Sequence, residues 1–315
     1  MSNLDDLFRQ ETSGHSSTNP FERPFDKEAW AQKKQELRQW AYETIDAATT
    51  AIAQSGDEFQ RYLDVQSRFD RYSVSNAPLI LTQRPEATRI AEFDSWKEQG
   101  VFIRRKETGF YILEPGEEYR REDGNTGISY NLKKMFDIAQ TTANPKPEQP
   151  AYPDDRMRIK ALMDRAPVPI VIGDSAPPEM HALYQPDTRN IVIRRGMDAG
   201  DIFRALAQEL AHAELDRGDG RYSRSHFTFH AYCASYMLCK QFGVDTSSFR
   251  FHRVPEKLKD MEPQQIRAEL TVMKDAAHDM ARRMNRMLAQ QLAKSSWQAA
   301  AAGTGKVSAV KFYFA

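Results

Sequence analysis

The sequence has little of what marks secreted, membrane-spanning or strongly charged proteins. Its two cysteines, Cys233 and Cys239, lie six positions apart in one predicted helix, too far along the axis to form a disulfide. No run reaches the roughly 20 apolar residues that cross a bilayer, and the first 26 residues lack the basic start and apolar core of a signal peptide. Lys and Arg total 44, as do Asp and Glu, so no global charge attracts nucleic acid. We therefore expect a cytoplasmic protein without membrane contacts, in which any nucleic-acid site is a local patch.

The composition is that of a folded chain large enough for two packed domains, with 40% hydrophobic and 28% charged residues in 315. Residues 1–25 are polar and aperiodic, which predicts a disordered lead-in. Four prolines in 142–155 keep that segment extended, which predicts a linker between a domain at 26–141 and a second at 156–294. Residues 295–315 form a low-complexity tail. The predicted fold class is α+β with two domains.

The first domain mixes helical and strand-like periodicity. Apolar spacing over 27–63, interrupted at Ser55-Gly56, predicts two helices. Ile90, Phe93 and Trp96 lie three apart and predict another helix, with Gly100 after its end. The pattern then alternates on both sides of Glu107-Thr108-Gly109, which predicts a β-hairpin over 101–116, and a further strand follows over 128–141.

The second domain is predicted to be a short antiparallel sheet with helices. Strand-like runs occur at 169–173 and, as a pair joined by a turn at 186–189, within 181–195. A strong amphipathic helix follows, with Asp198 or Asp201 as cap and Gly218 at its end. A second helix is predicted over 225–242, and a long amphipathic helix over 263–294.

The helix after the strand pair carries Gln208-Glu209-Leu210-Ala211-His212. In zinc peptidases, His-Glu-x-x-His places two imidazoles on one helix face to bind Zn²⁺, and the glutamate acts as base toward a metal-bound water. Here Gln208 takes the place of the first histidine, and an amide oxygen is a poor ligand for zinc. Glu209 and His212 are also consistent with polar residues of a partly buried helix. The preceding strand-turn-strand and the following helix favour a zincin-like domain.

With these motifs the chain resembles the ArdC-type antirestriction and conjugation proteins of bacterial mobile elements, over about residues 60–275. In the first half the resemblance rests on Asn76-Ala77-Pro78-Leu79-Ile80-Leu81, on Phe93-Asp94-Ser95-Trp96 and on Met135 to Thr141. In the second half it rests on Gln208 to His212 and on Tyr236 to Thr246. The resemblance implies an N-terminal domain that binds single-stranded DNA and a C-terminal domain with a zincin-like metallopeptidase fold.

Two residues depart from the pattern that the resemblance implies. Gln208 stands where the family has its first histidine ligand, and Tyr232 where it has a glutamate on the second helix. Catalytic zinc needs three protein ligands and a water, so the resemblance implies a domain that has lost peptidase activity and holds no cofactor. It also implies that Gln208→His with Tyr232→Glu would restore the three ligands.

An alternative is a zinc site shifted by one helical turn. His212 and Asp216 are spaced i,i+4 on the first helix, His226 and His230 on the second, and Cys233 continues that second face. Glu209, His212 and His230 would then be the residues of an active metallopeptidase. Histidines at this spacing are also common on helices without any metal.

The predicted hairpin is the candidate DNA-binding surface, because single-strand binders combine cations for phosphates with aromatic faces for bases. The candidate residues are Arg104, Arg105, Lys106, Phe102, Phe110, Tyr111, Lys133 and Lys134. The same pattern is typical of a solvated edge strand over core aromatics. Residues 59–140 hold 13 Lys and Arg and 13 Asp and Glu, so such a surface requires segregation of charge to one face.

Three functions follow from these observations. The first is a single-stranded-DNA-binding mobile-element protein whose zincin-like domain is a scaffold or a partner surface. The second is an active metallopeptidase with the shifted site. The third is an inhibitor that binds a host defence protein and uses neither site. Metal content separates the second function from the others, and a salt-dependent DNA-binding assay separates the first from the third.

Overall fold

The computed structural model describes residues 27–120, 124–143, 154–173, 176–177, 179–252 and 254–301, with the backbone alone described over 295–301. The predicted lead-in over 1–25, most of the predicted linker and the end of the tail lie outside these residues. The domain boundaries therefore stay a prediction. No helix within the described ranges is long and apolar enough to span a membrane.

The fold is α+β, with a helical core and two small sheets. The helices are α1 (Lys27–Gln54), α2 (Gly56–Arg68), α3 (Asn76–Gln83), α4 (Phe93–Glu98), α5 (Asp155–Met163), α6 (Ala199–Leu215), α7 (Arg224–Gln241), α8 (Glu256–Lys259) and α9 (Pro263–Ala301). The strands are β1 (Ile90–Ala91), β2 (Phe110–Arg120), β3 (Thr126–Asp137), β4 (Ile170–Ile172), β5 (Ala182–Gln185) and β6 (Asn190–Ile193).

Several helix boundaries predicted by local signals are confirmed, but α6 ends at Leu215, before the predicted Gly218, and α9 continues to Ala301, beyond the predicted residue 294. Ser55 separates α1 from α2, and its side chain accepts a hydrogen bond from the Glu58 N–H. Asp198 caps α6 by accepting from the Asp201 N–H. Gly243, just beyond α7, has a φ of +65°, which glycine adopts without steric cost.

The first sheet has the order β1-β3-β2 and is antiparallel. Its long hairpin pairs Phe110 with Met135 at one end and Arg120 with Thr126 at the other. The register shifts between Pro115 and Glu118, which lets one strand continue through a Pro-Gly pair that reads as a break in the sequence.

The hairpin predicted over 101–116 is wrong. Residues 104–107 form a turn, with the Glu107 N–H donating to the Arg104 carbonyl and Lys106 at a φ of +72°, and Ile103 makes only an isolated bridge to Thr141. Gly109 is a close-packing glycine, since a Cβ there would lie 2.8 Å from the Met135 carbonyl oxygen. The strand-like alternation that begins at Phe110 belongs to the hairpin with β3.

The helix predicted from Ile90, Phe93 and Trp96 is correct only in its second half. Ile90 pairs with Asp137 in β1, and α4 begins at Phe93. Of the three apolar residues only Trp96 is buried, and its indole Nε1–H donates to the Phe136 carbonyl at 2.9 Å. Residues three apart therefore do not all belong to one helix here, since Ile90 lies in β1 while Phe93 and Trp96 lie in α4.

The second sheet is mixed rather than antiparallel. β6 lies in the centre, parallel to β4 and antiparallel to β5. The predicted turn between β5 and β6 is confirmed. No hairpin joins β4 to its partner β6, because β5 lies between these two strands in the sequence. Helix α6 packs against β5 and β6.

One continuous hydrophobic cluster includes buried residues from both halves of the chain. Phe59 of α2 lies 5.2 Å from Phe229 of α7 between ring centroids, and the Tyr236 hydroxyl donates to Asp64 at 2.7 Å. A smaller cluster joins α1, α3 and β2. The N-terminal helices therefore pack directly on the C-terminal ones, which fixes the position of α7 beside α6.

Candidate functional site

The motif that begins at Asn76, in the N-terminal part of the resemblance, holds the edge of the first sheet. Asn76 donates through Nδ2 to the Leu113 carbonyl at 2.8 Å and accepts from the Leu113 N–H at 2.7 Å. Gln83, at the other end of α3, makes the same pair of bonds with Tyr111, each at 2.9 Å. Two amide side chains on one helix thus take the place of a neighbouring strand for β2.

The Met135–Thr141 segment has a similar structural role. Asp137 accepts hydrogen bonds from the backbone N–H groups of Thr88, Arg89 and Ala139. Gln140 completes a capping box by accepting from the Asp137 N–H at 2.9 Å. These polar residues hold the end of β3 and the chain before β1 together.

The cations predicted to bind DNA divide into engaged and exposed groups. Arg104 donates to Glu107 and to the Ala139 carbonyl. Lys133 lies 2.6 Å from Glu92 and 3.1 Å from Glu114, and its pKa is raised because both carboxylates accept hydrogen bonds from it. Lys134 lies over the Tyr111 ring at 5.9 Å.

Arg105 and Lys106 are exposed and, within the described residues, form no ion pair. Phe102, three positions before Arg105, has its backbone bonded to Thr142 while its ring is 56% exposed. Phe110 and Tyr111 are buried, so their rings are not available for stacking on bases. The segment from Phe102 to Lys106 leads into the turn at 104–107, and we call it the 102–106 turn. It is therefore the accessible part of the predicted surface.

Glu209 of α6 is buried and fully engaged. Its Oε1 lies 2.6 Å from Arg224 Nη2 and its Oε2 lies 2.8 Å from Arg224 Nη1, which is a bidentate ion pair. Oε2 also accepts the Tyr184 N–H at 2.7 Å, at the outer edge of β5. Burial of Arg224 opposes its charged form, but the hydrogen bonds that Arg224 donates to Glu209 outweigh this effect, and the pKa of Arg224 is raised.

His212 lies one turn further along α6 and is fully buried. Its Nδ1 shares a hydrogen bond with the Tyr222 hydroxyl at 2.9 Å. Among the described residues no polar atom bonds to its Nε2. Burial, followed by the charges of Arg224 and His230, lowers the pKa of His212 to about 3, so this imidazole is neutral in the folded protein.

His230 is separated from His212 by aromatic rings. Tyr222 contacts His212, stacks on Phe227 at 5.9 Å, and Phe227 contacts His230. His230 Nε2 lies 2.7 Å from Glu269 Oε2 of α9. Burial lowers the pKa of His230 despite this carboxylate.

The other residues of the proposed shifted site point elsewhere. The Asp216 carboxylate accepts from the Tyr184 hydroxyl at 2.7 Å and from the Gly218 N–H. His226 is exposed, and Cys233 is buried with its thiol pKa raised by burial. No group of three or more His, Cys, Asp and Glu side chains that could hold a metal occurs in the described ranges.

Tyr232 does not face the α6 motif. Its hydroxyl accepts the Arg250 N–H at 2.7 Å, and its ring packs against Phe249 and Phe251. The α7 residues that contact α6 are different ones, including Arg224 and Ser235, whose Oγ donates to the Arg204 carbonyl. The Tyr232 side chain therefore packs on residues 249–251, which does not support its placement at a ligand position.

These residues do not fit a zinc ion. Of the expected ligands only His212 is present, and the carboxylate beside it is bound to a guanidinium. A divalent cation at His212 would meet that positive charge in a buried place, where like charges repel strongly.

Sequence reasoning missed Arg224, Tyr222 and Tyr184. Arg224 lies 15 positions after Glu209, at the first residue of another helix, and no periodic pattern links the two. The pairing of Asp137 with Gln140 could have been found, because D-x-x-Q at the start of a helical turn is a capping-box signature.

Comparison with known proteins gives relatives of low sequence identity. The metal-free crystal structure of the antirestriction protein ArdC from plasmid R388 is 20% identical, with 68% of this chain and 86% of that chain covered and a TM-score of 0.45. Its Mn(II)-bound structure is 21% identical, with 68% and 85% covered and a TM-score of 0.44. These are structures of the family that the motifs resemble, and the predicted resemblance is confirmed in that respect.

A curated relative, an uncharacterized protein of Bacillus anthracis, is 23% identical over 284 residues, with 72% of this chain and 48% of that protein covered. This chain therefore spans about half the length of that relative. A scan against known protein families finds no match to the chain.

Proposed function

We propose that this chain is an antirestriction protein of a mobile genetic element that binds single-stranded DNA. In this proposal the zincin-like part, with α6 and α7, is a scaffold or a partner surface and not a peptidase. The motifs shared with ArdC-type proteins support the class of function, and the contacts of Glu209 and of the 102–106 turn support the mode of action.

The observation that carries the proposal is the state of Glu209. A general base must reach a water and accept its proton. Both oxygens of Glu209 instead bind Arg224, and Oε2 accepts a backbone N–H as well. Because donors of the protein occupy both oxygens, the residue at the catalytic position of the motif serves the packing of α6 on α7.

The DNA-binding part of the proposal is supported by the 102–106 turn. It presents an exposed phenylalanine and three exposed cations within five residues, of which Arg105 and Lys106 form no ion pair within the described residues. Base stacking on an aromatic ring contributes about 1–3 kcal/mol and reads no sequence, while each cation adds a phosphate contact that weakens with salt. We therefore expect binding of modest strength without sequence preference.

The test measures fluorescence anisotropy of a labelled oligothymidylate over a series of salt concentrations. Arg105→Ala/Lys106→Ala should weaken binding and reduce the slope of log K against log salt by about 1.4, because about 0.7 is lost per phosphate contact on a single strand. Phe102→Ala should weaken binding about 5- to 150-fold with an unchanged slope. The control is Arg61→Ala/Arg282→Ala, which removes two exposed cations from α2 and α9.

Equal effects of the control and of the Arg105/Lys106 variant would remove the 102–106 turn from the proposal. Absence of DNA binding by the unaltered protein at low salt would overturn the proposal as a whole and leave the inhibitor of a host defence protein. Cleavage of a peptide library that chelators abolish would favour the metallopeptidase instead.

A further inference from the structure

We propose that the Arg224 guanidinium is the resident cation of this site and keeps divalent metals out of it, even where missing ligands are restored. The inference deepens the scaffold role within the proposed function and rests on that role. The inference attributes the exclusion of metal to the positive charge of Arg224, in addition to the absence of a histidine ligand at position 208.

The first step is the geometry of the ion pair. Arg224 is the first residue of α7, and its guanidinium spans both oxygens of Glu209 at 2.6 and 2.8 Å. The planar fork of arginine matches a carboxylate, so the pair is held in one orientation. The Glu209 side chain is almost wholly buried and that of Arg224 is 31% exposed, so the pair is only partly screened by water.

The second step is the surroundings of His212. The Tyr222 hydroxyl occupies its Nδ1, and the Tyr222 ring packs edge-on against its ring at 6.1 Å. Tyr222 thus lies against the imidazole that the motif retains, and Glu209, three positions before it on α6, holds the Arg224 guanidinium. A cation bound to His212 Nε2 would lie beside this ion pair.

The third step is the balance of charge. Glu209 and Arg224 are neutral together, and the other acidic group nearby, Asp216, accepts from Tyr184 and lies 3.9 Å from Arg189. A divalent cation would therefore add two positive charges to a buried site whose carboxylates already have partners. Removal of the arginine charge instead leaves Glu209 as an unpaired carboxylate, which favours a cation beside it.

The experiment compares zinc uptake by equilibrium dialysis in four proteins. They are the unaltered chain, Gln208→His, Gln208→His/Arg224→Gln, and Gln208→His/Arg283→Gln. Histidines at 208 and 212 lie one turn apart on one face, which is a spacing that binds zinc. Glutamine at 224 keeps an amide donor toward Glu209, so that the variant retains a partner for the buried carboxylate.

The Arg283 variant is the matched control. Arg283 of α9 also binds a half-buried glutamate of α6, Glu214, only five positions from Glu209. This variant removes the same charge from beside a glutamate of the same helix, α6, without touching the Glu209 pair.

We expect zinc to bind at least about ten-fold more tightly to Gln208→His/Arg224→Gln than to Gln208→His, and no such gain in the Arg283 control. Zinc should also raise the melting temperature of the Arg224 variant alone. Zinc binding by the unaltered chain, tight binding by Gln208→His with Arg224 intact, or equal binding by both double variants would each overturn the inference. If the Arg224 variant does not fold, Gln208→His with Arg224 present still decides the matter by its zinc uptake. DNA binding is not part of this readout, so its outcome and that of the proposed function are separable.

Discussion

The hydrogen bonds of Asn76 provide a quantitative test of how the edge of β2 is held. Asn76 is 2% exposed and satisfies both backbone groups of Leu113, which is itself buried. In Asn76→Ala the Leu113 N–H and carbonyl lose their partners, and each unsatisfied buried group costs about 1–3 kcal/mol. We therefore expect the free energy of unfolding to fall by about 2–6 kcal/mol, a large part of the roughly 5–15 kcal/mol typical of a folded domain.

The assay is urea denaturation followed by circular dichroism and by tryptophan fluorescence, with coincident transitions as the test of two-state behaviour. Gln83→Ala should cost about 1–3 kcal/mol, because its bonds to Tyr111 are only partly buried. Gln99→Ala is the control, since this amide is exposed and its loss should change stability by about 0.5 kcal/mol or less.

A loss below about 1 kcal/mol for Asn76→Ala, with an unchanged denaturant slope, would refute the reasoning. It would mean that water or a shifted strand replaces the amide, and that the Asn-Ala-Pro segment has some role other than holding β2.

Further outcomes follow from the buried polar groups. Because burial lowers the pKa of His212 from 6.5 to about 3, the unfolded chain binds a proton that the folded chain rejects. The stability should be complete above pH 6.5 and fall by up to about 1.4 kcal/mol per pH unit as the pH drops toward 3, and His212→Gln should flatten this slope in pH-dependent urea titrations. Asp137→Ala should lower the melting temperature more than an exposed Asp→Ala control, because three backbone N–H groups lose their acceptor. Cys233 and Cys239 should react with a thiol reagent only after denaturation, since burial raises both thiol pKa values; fast reaction of the native protein would contradict their burial.

At the α6 site, the sequence motif and the tertiary structure each provide different information about the chemistry. The sequence places Glu209 and His212 on one helix and identifies Gln208 as a departure from the zinc motif. It contains no local pattern that pairs Glu209 with Arg224, because that contact joins the interior of α6 to the first residue of α7 beside the β5 edge. The sign of the charge beside His212 therefore depends on how α7 packs on α6.

Local order was determined by the sequence alone. The Ser55 cap, the Asp198 cap, the Gly243 end and the β5–β6 turn depend on interactions within a few residues, and all were predicted in place. Such features need only the preferences of the backbone and of short polar side chains.

Only the tertiary structure decided the partners of these elements. The 102–106 turn and β2 share one alternating pattern in the sequence. In the structure, β2 pairs with β3 along one edge, and the side chains of Asn76 and Gln83 bond to its other edge. Whether Tyr232 faces α6 or Phe249 likewise depends on the rotation of α7, which packing against α2 fixes. Periodicity states which face of an element is buried, but the energy of burial is the same for many partners, and the specific choice rests on polar contacts between residues far apart in the chain.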